Sequence, residues 1–242
     1  MSLASRERAA LCDLFSEVGP DAPTLCEGWD TRDLAAHLHL RETSPLAIGI
    51  LVTPLAGAME RRQREMASGP WDTLVSRVRT PPWWSPSSIS AVDARVNGAE
   101  YFVHHEDVRR AQEGWEQRDL SDADERALWA VLSGMAKQLY RSAPVPVVLR
   151  RPDGAELVAK AGHPAVIVSG PVSELVMHAY GRTEQARVTV EGPDDLLTAF
   201  HETQRSIRTP TRHEPGALVG CAVIGSSASA SAPGDRQRPG WP

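Results

Sequence analysis

The segment Glu100-Tyr-Phe-Val-His104-His105-Glu106-Asp107-Val-Arg-Arg places three carboxylates and two imidazoles within eight residues. On an α-helix each residue advances by about 100°, which sets His104 about 40° from Glu100 and Asp107 about 20° to its other side. His105 falls about 140° away by the same geometry. Val96 and Ala111 share the sector of Glu100, His104 and Asp107, so a stripe that otherwise faces a core presents a carboxylate and an imidazole one turn apart. Ligands at i and i+4 on one face are what a helical metal site uses. A solvated Glu–His pair has the same spacing, so the spacing alone leaves both readings open. His37, in Trp29-Asp-Thr-Arg-Asp-Leu-Ala-Ala-His-Leu38, sits on a stripe with Leu34 and Leu38. A neutral buried histidine that only completes a hydrogen bond is the simpler account of it. In a helical bundle, however, an inward His on one helix and an inward Glu/His pair on another converge on one ion. Two imidazoles and a carboxylate suit zinc, iron or nickel as divalent ions. Three protein ligands leave positions open for water or substrate, as in catalytic sites.

Other chemistry-bearing residues have plainer readings. Cys26 precedes the His37 helix and could reach the pocket, but a small buried or loop thiol explains it as well. His39 and His105 fall on other helix faces and are expected at the surface. Trp83-Trp84 suits a pocket roof or interdomain packing equally. Arg109-Arg110 is most simply a favourable charge at a helix C-terminus. His163 precedes Pro164 in a turn, and His178 and His201 have no acidic partner at ligand spacing.

The elements that must position these residues are mostly helical up to residue 143. Leu11, Leu14, Phe15 and Val18 form one amphipathic stripe that Gly19-Pro20 ends. A second helix starts after Gly28-Trp29, capped by Asp30 or Thr31, with Asp33 in its first turn. Leu46 to Ala67 continues as one or two helical pieces. The run Leu46 to Met59, broken by Pro54, is shorter than the ~20 residues a membrane span needs and reads as core helix. Thr80-Pro-Pro-Trp-Trp-Ser-Pro86 excludes regular helix and reads as a long crossover loop. A helix over Ile89 to Gln112 follows, then one capped by Ser121 with Leu128, Val131, Leu132, Met135 and Leu139 buried.

At Pro144-Val-Pro146 the pattern changes. Val145–Leu149, Ala155–Ala159 and Ala165–Val168 are strand-like runs separated by turns such as Pro152-Asp-Gly154. A helix opens at Gly170-Pro171 and closes at Gly181, followed by a strand at Arg187–Val190 and a helix over Pro193–Thr203. This divides the chain into a helical part, 1–143, a small α+β part, 144–206, and a Ser/Ala/Pro/Gly-rich tail, 207–242, expected to be disordered.

Composition excludes several classes. The net charge of −5 argues against a nucleic-acid partner, which calls for a basic excess. Three cysteines without a C-x-x-C exclude a disulfide scaffold and a thiolate zinc knuckle and suit a reducing compartment. The first residues lack an apolar signal region, and no apolar run is of membrane-span length, so a cytoplasmic monomer or homodimer without membrane or nucleic-acid partners is expected.

The Trp29–Leu38 segment resembles the second-helix motif of the DinB-like metal proteins, in particular the mycothiol-dependent maleylpyruvate isomerase group. Glu100-x-x-x-His104 followed by Asp107 is similar to that group's second motif, and Gly170-Pro171 through Arg182 and the strand Arg187-Val-Thr-Val190 resemble its C-terminal, sterol-carrier-protein-like domain. The resemblance spans roughly residues 5–205. His105-Glu106 stands where the isomerases usually carry an Arg-aromatic pair, which points to a separate metal-binding branch of the superfamily. It implies an α+β protein: a four-helix bundle with a long crossover, carrying a divalent metal on His37, Glu100 and His104, and a small α/β domain. It also implies mycothiol, or a similar low-molecular-weight thiol, as cofactor, and an Arg182 that contacts an anionic substrate. Arg182 follows the Gly181 helix end, so neutralising that terminus is the plainer role.

A metal in this setting lowers the pKa of a bound thiol, or acts as a Lewis acid on a carbonyl or leaving group. The resulting expectation is a thiol-dependent transferase or isomerase acting on a small electrophilic metabolite. A metal-dependent hydrolase and a non-catalytic metal- or small-molecule-binding protein are the alternatives.

Overall fold

The computed structural model describes residues 1–43, 56–82, 85 and 97–207, with the side chains of 56–60 and 203–207 left aside. Helices α1 (Leu3–Val18), α2 (Thr31–Thr43), α3 (Ala56–Ala67), α4 (Trp71–Arg79), α5 (Gly98–Arg109) and α6 (Asp122–Leu139) come first. Strands β1 (Val147–Arg150), β2 (Glu156–Lys160) and β3 (Val166–Ser169), helix α7 (Val172–Ala179), strand β4 (Thr189–Glu191) and helix α8 (Asp194–Ile207) follow. The protein is thus α+β, as its sequence predicts. The apolar run up to Met59, Trp83-Trp84, the start of the Ile89 helix and the tail lie wholly or largely outside the described residues.

The helix ends follow local chemistry. Ser2 and Ser121 cap α1 and α6 by accepting from the amides of Ser5 and Asp124, at 3.1 and 3.2 Å. The Asp30 carboxylate accepts from the Asp33 amide at 2.9 Å, starting α2 where the sequence places it. Helix α4 adds a short element that the sequence reading did not separate; Leu74, Val75 and Val78 bury one face of it.

The sheet order is β2-β1-β3-β4, with β1 and β3 parallel and the other neighbours antiparallel. Val147, Leu149, Val166 and Val168 alternate inward, the period-two pattern of a sheet with one buried face. That face shares a core with Leu128, Leu132, Leu175, Met177 and Phe200, so α6 packs on the sheet and α7. A second core joins Leu11, Phe15, Leu34, Leu38, Ala67, Leu74 and Val78 of the first four helices.

Helix α5 belongs to both cores. Tyr101 and Val108 enter the helical core, whereas Ala99, Phe102 and Val103 enter the sheet core. Every residue from Gly98 to Val108 is buried, including Glu100, His104, His105, Glu106 and Asp107. The helix has no solvent face, so its charged groups must find partners inside the protein.

Candidate metal centre

Helix α2 carries His37 and α5 carries Glu100 and His104. Their donor atoms all lie within 4.8 Å of one another, and all three side chains are buried. The rings of His37 and His104 meet edge to face at 5.7 Å, and the Trp29 ring packs tilted against His37 at 5.1 Å. Among the described residues, His37 Nε2 is buried with no hydrogen-bond partner. Such an orphaned polar atom costs about 1–3 kcal/mol unless something binds it.

Charge is arranged unevenly around the three. Burial, reinforced by the neighbouring His104, pushes the His37 pKa down to about 3, so its imidazole is neutral with a free lone pair. Burial opposes the charge on Glu100, but Arg41 and His104 outweigh it and hold the carboxyl well below the usual carboxylate range. Arg41 Nε stands 3.6 Å from Glu100 Oε1. His104 Nε2 lies 3.2 Å from Glu100 Oε1 and His104 Nδ1 lies 2.9 Å from Asp107 Oδ2. Despite burial, these two carboxylates raise the His104 pKa.

A second group, Cys26, His104 and Asp107, also has donor atoms within 4.8 Å. Two of its members are otherwise engaged. The Arg182 guanidinium grips Asp107 in bidentate fashion, Nε to Oδ1 at 2.8 Å and Nη2 to Oδ2 at 2.6 Å. Cys26 is buried and does reach the pocket, with its Sγ 3.3 Å from Asp107 Oδ2 and 3.6 Å from Arg182 Nη2. Among the described residues the set His37, Glu100 and His104 is therefore the one with a free donor and a composition that fits a divalent ion.

Several placements differ from the sequence reading. His105 is buried rather than at the surface. It does face away from the centre, but toward α1, where Nδ1 meets Glu7 Oε2 at 2.7 Å. His39 is also buried, because α2 packs against both α3 and α4. Arg110 is not a solvent-facing complement to a helix end. It bonds Glu106 at 2.5 Å and both oxygens of Glu174 at 2.9 and 2.7 Å. Arg182 does not project from its turn into open space. Gly181, at φ +86°, reverses the chain so that the guanidinium points inward onto Asp107. It also bonds the Tyr180 carbonyl at 2.6 Å, so the expected link to its own helix end is present as well. Arg41 was missed as part of the site. Its position four residues after His37, on the same face of α2, is the signal that could have found it.

No protein-family model and no curated protein matches the chain. Among solved structures, one described as the mycothiol-dependent maleylpyruvate isomerase aligns with a TM-score of 0.54 and 20% sequence identity, covering 78% of this chain and 90% of that one. A point mutant of such an isomerase aligns at a TM-score of 0.47 and 18% identity. The chain therefore has the fold of the first of these isomerase structures, the fold that the resemblance of its two histidine-bearing helices implies.

Proposed function

We propose that the protein binds one divalent metal ion, zinc foremost, through His37, Glu100 and His104. In this reading it works with a low-molecular-weight thiol of the mycothiol kind as a transferase or isomerase on a small electrophilic metabolite. The observation that carries the metal is His37, whose buried Nε2 has no hydrogen-bond partner among the described residues and whose ring brings a nitrogen within 4.8 Å of a carboxylate oxygen and a second imidazole. The likeness to a mycothiol-dependent isomerase supports the thiol. Residues 1–143 are then a DinB-like four-helix bundle with a long crossover, 144–206 a sterol-carrier-protein-like domain, and 207–242 a tail outside both.

When bound, the metal supplies a thiol at the site with a depressed pKa and a carbonyl with Lewis-acid polarisation. The protein's own residues prepare that chemistry. Burial keeps His37 neutral and its lone pair available. Arg41 keeps Glu100 ionised in a buried setting. Asp107 holds Nδ1 of His104 and so fixes which way the ring turns. Trp29 covers one side of His37 and excludes water there.

Thermal unfolding of the metal-loaded protein with a panel of low-molecular-weight thiols tests the reading. A ligand that binds only the native state adds about 2.7 kcal/mol at a hundredfold excess over its Kd. Stabilisation by a mycothiol-type thiol, but not by its alcohol counterpart, is expected. Stabilisation by metal and by no thiol overturns the thiol half of the proposal.

A further inference from the structure

We propose that Arg182 is a positioning residue of the metal centre, acting through Asp107 on His104, so that the C-terminal unit sets the metal affinity of the helical unit. The inference rests on the metal reading above and deepens it. Its parts form one continuous chain of hydrogen bonds. The Gly181 turn is closed by the Arg182 amide bonding the Met177 carbonyl at 2.9 Å. The guanidinium is then held by two bonds to Asp107, one to the Tyr180 carbonyl and a longer one to Cys26 Sγ at 3.6 Å. Asp107, fully buried, passes the constraint on through Oδ2, which accepts from His104 Nδ1 at 2.9 Å. With its Nδ1 proton committed to Asp107, the ring of His104 presents Nε2 toward His37 and Glu100. A carboxylate behind a ligating histidine fixes its tautomer and orientation and raises its basicity. Here the carboxylate is itself aimed by a cation from the other half of the fold.

The geometry of Arg182 suits this role better than that of a clamp on an external anion. Its fork is spent on Asp107, and a fork–carboxylate pair holds both oxygens in one plane, which an ammonium group does not reproduce. A second tie between the halves, Arg110 to Glu174, uses the same chemistry but reaches none of the three ligands. It provides the control for simple loosening of the interface.

The test measures affinity of the full chain for zinc by competition with a chromogenic chelator, with the visible spectrum of the cobalt-loaded protein as a second readout. Thermal melts establish that each variant is folded. Asp107→Asn is expected to weaken zinc binding roughly 10- to 100-fold and Arg182→Lys roughly tenfold, the range for groups behind a metal ligand. Because Arg182 acts through Asp107, the double variant should bind no more weakly than Asp107→Asn alone. Glu174→Gln should lower the melting temperature yet keep zinc affinity and cobalt spectrum unchanged. Native affinity in Arg182→Lys, or losses that multiply in the double variant, overturns the relay while leaving the metal reading intact. Failure of the unaltered protein to bind zinc or cobalt overturns the metal reading and the relay with it.

Discussion

Two faces of helix α5 carry nearly the same side chains and do different things with them. On one face Glu100 and His104 meet His37; on the other His105 meets Glu7, and Arg118 joins Glu7 to Glu106. The second face is closed by cations. Arg118 bonds Glu7 at 3.0 Å and Glu106 at 2.6 Å, and Arg109 and Arg110 bond Glu106 at 2.9 and 2.5 Å. Each carboxylate there meets a guanidinium, and the histidine meets a carboxylate, so the set is complete without an added ion. Among the described residues the first face has Arg41 3.6 Å from Glu100, has Arg182 only through Asp107, and leaves one histidine nitrogen without a partner. A buried His/Glu cluster thus signals a ligand by what it leaves unsatisfied, not by its composition.

The largest expected effect tests that contrast directly. His104→Ala should weaken metal binding by more than about 100-fold, beyond the range for groups behind a ligand, whereas His105→Ala should retain a full equivalent by elemental analysis. The reverse result would exchange the roles of the two faces. Next, Glu106→Ala strips a shared partner from three arginines. It should cost about 3 kcal/mol in chemical denaturation, the lower end for breaking a buried ion pair, with little change in metal affinity.

The closed face also has a pH signature. Burial works against the charges of Glu7 and Glu106, but His105 and Arg118 for the first, and Arg118 and Arg110 for the second, hold both pKa values below their ordinary 4.5. The unfolded chain takes up these protons first as pH falls. Stability is therefore full above about pH 4.5 and is lost as pH drops through the lowered folded values. Denaturation midpoints across pH 6 to 3 should show that loss in the native chain and a flatter profile in Glu106→Gln. The smallest effect is expected for His105→Gln. Its amide still donates to Glu7, so it should cost no more than about 1 kcal/mol, and a larger loss would show that the imidazole's charge matters.

The convergence of His37, Glu100 and His104 was legible because helical spacing is rigid: once Glu100 and His104 fall in one sector, their meeting needs only a partner helix, and His37 offers it. The strands of the C-terminal unit were legible from alternation at Val147, Leu149, Val166 and Val168. What periodicity could not show is that α5 is enclosed on every side. A helix with charges all round its circumference reads as exposed, which is why His105 reads as a surface residue and Arg110 only as a charge at the helix end. Their partners, Glu7 and Glu174, lie 98 and 64 residues away in the chain, and no local pattern links them. Arg182 was singled out, but the direction its guanidinium takes depends on the Gly181 reversal and on Asp107 waiting across the interface.

The enclosure of α5 also bears on when, along the unfolding path, His37, Glu100 and His104 come apart. Amides on an exposed helix exchange their hydrogens through small local openings; amides on a helix walled in by two cores exchange only when most of the molecule opens. Deuterium uptake across Glu100 to Asp107 should therefore be among the slowest in the chain and should follow global unfolding. His37 lies on α2, whose Arg32, Asp33, Arg41 and Thr43 are only partly buried, so that helix should open earlier and His37 should part first, with Glu100 and His104 held together until the end.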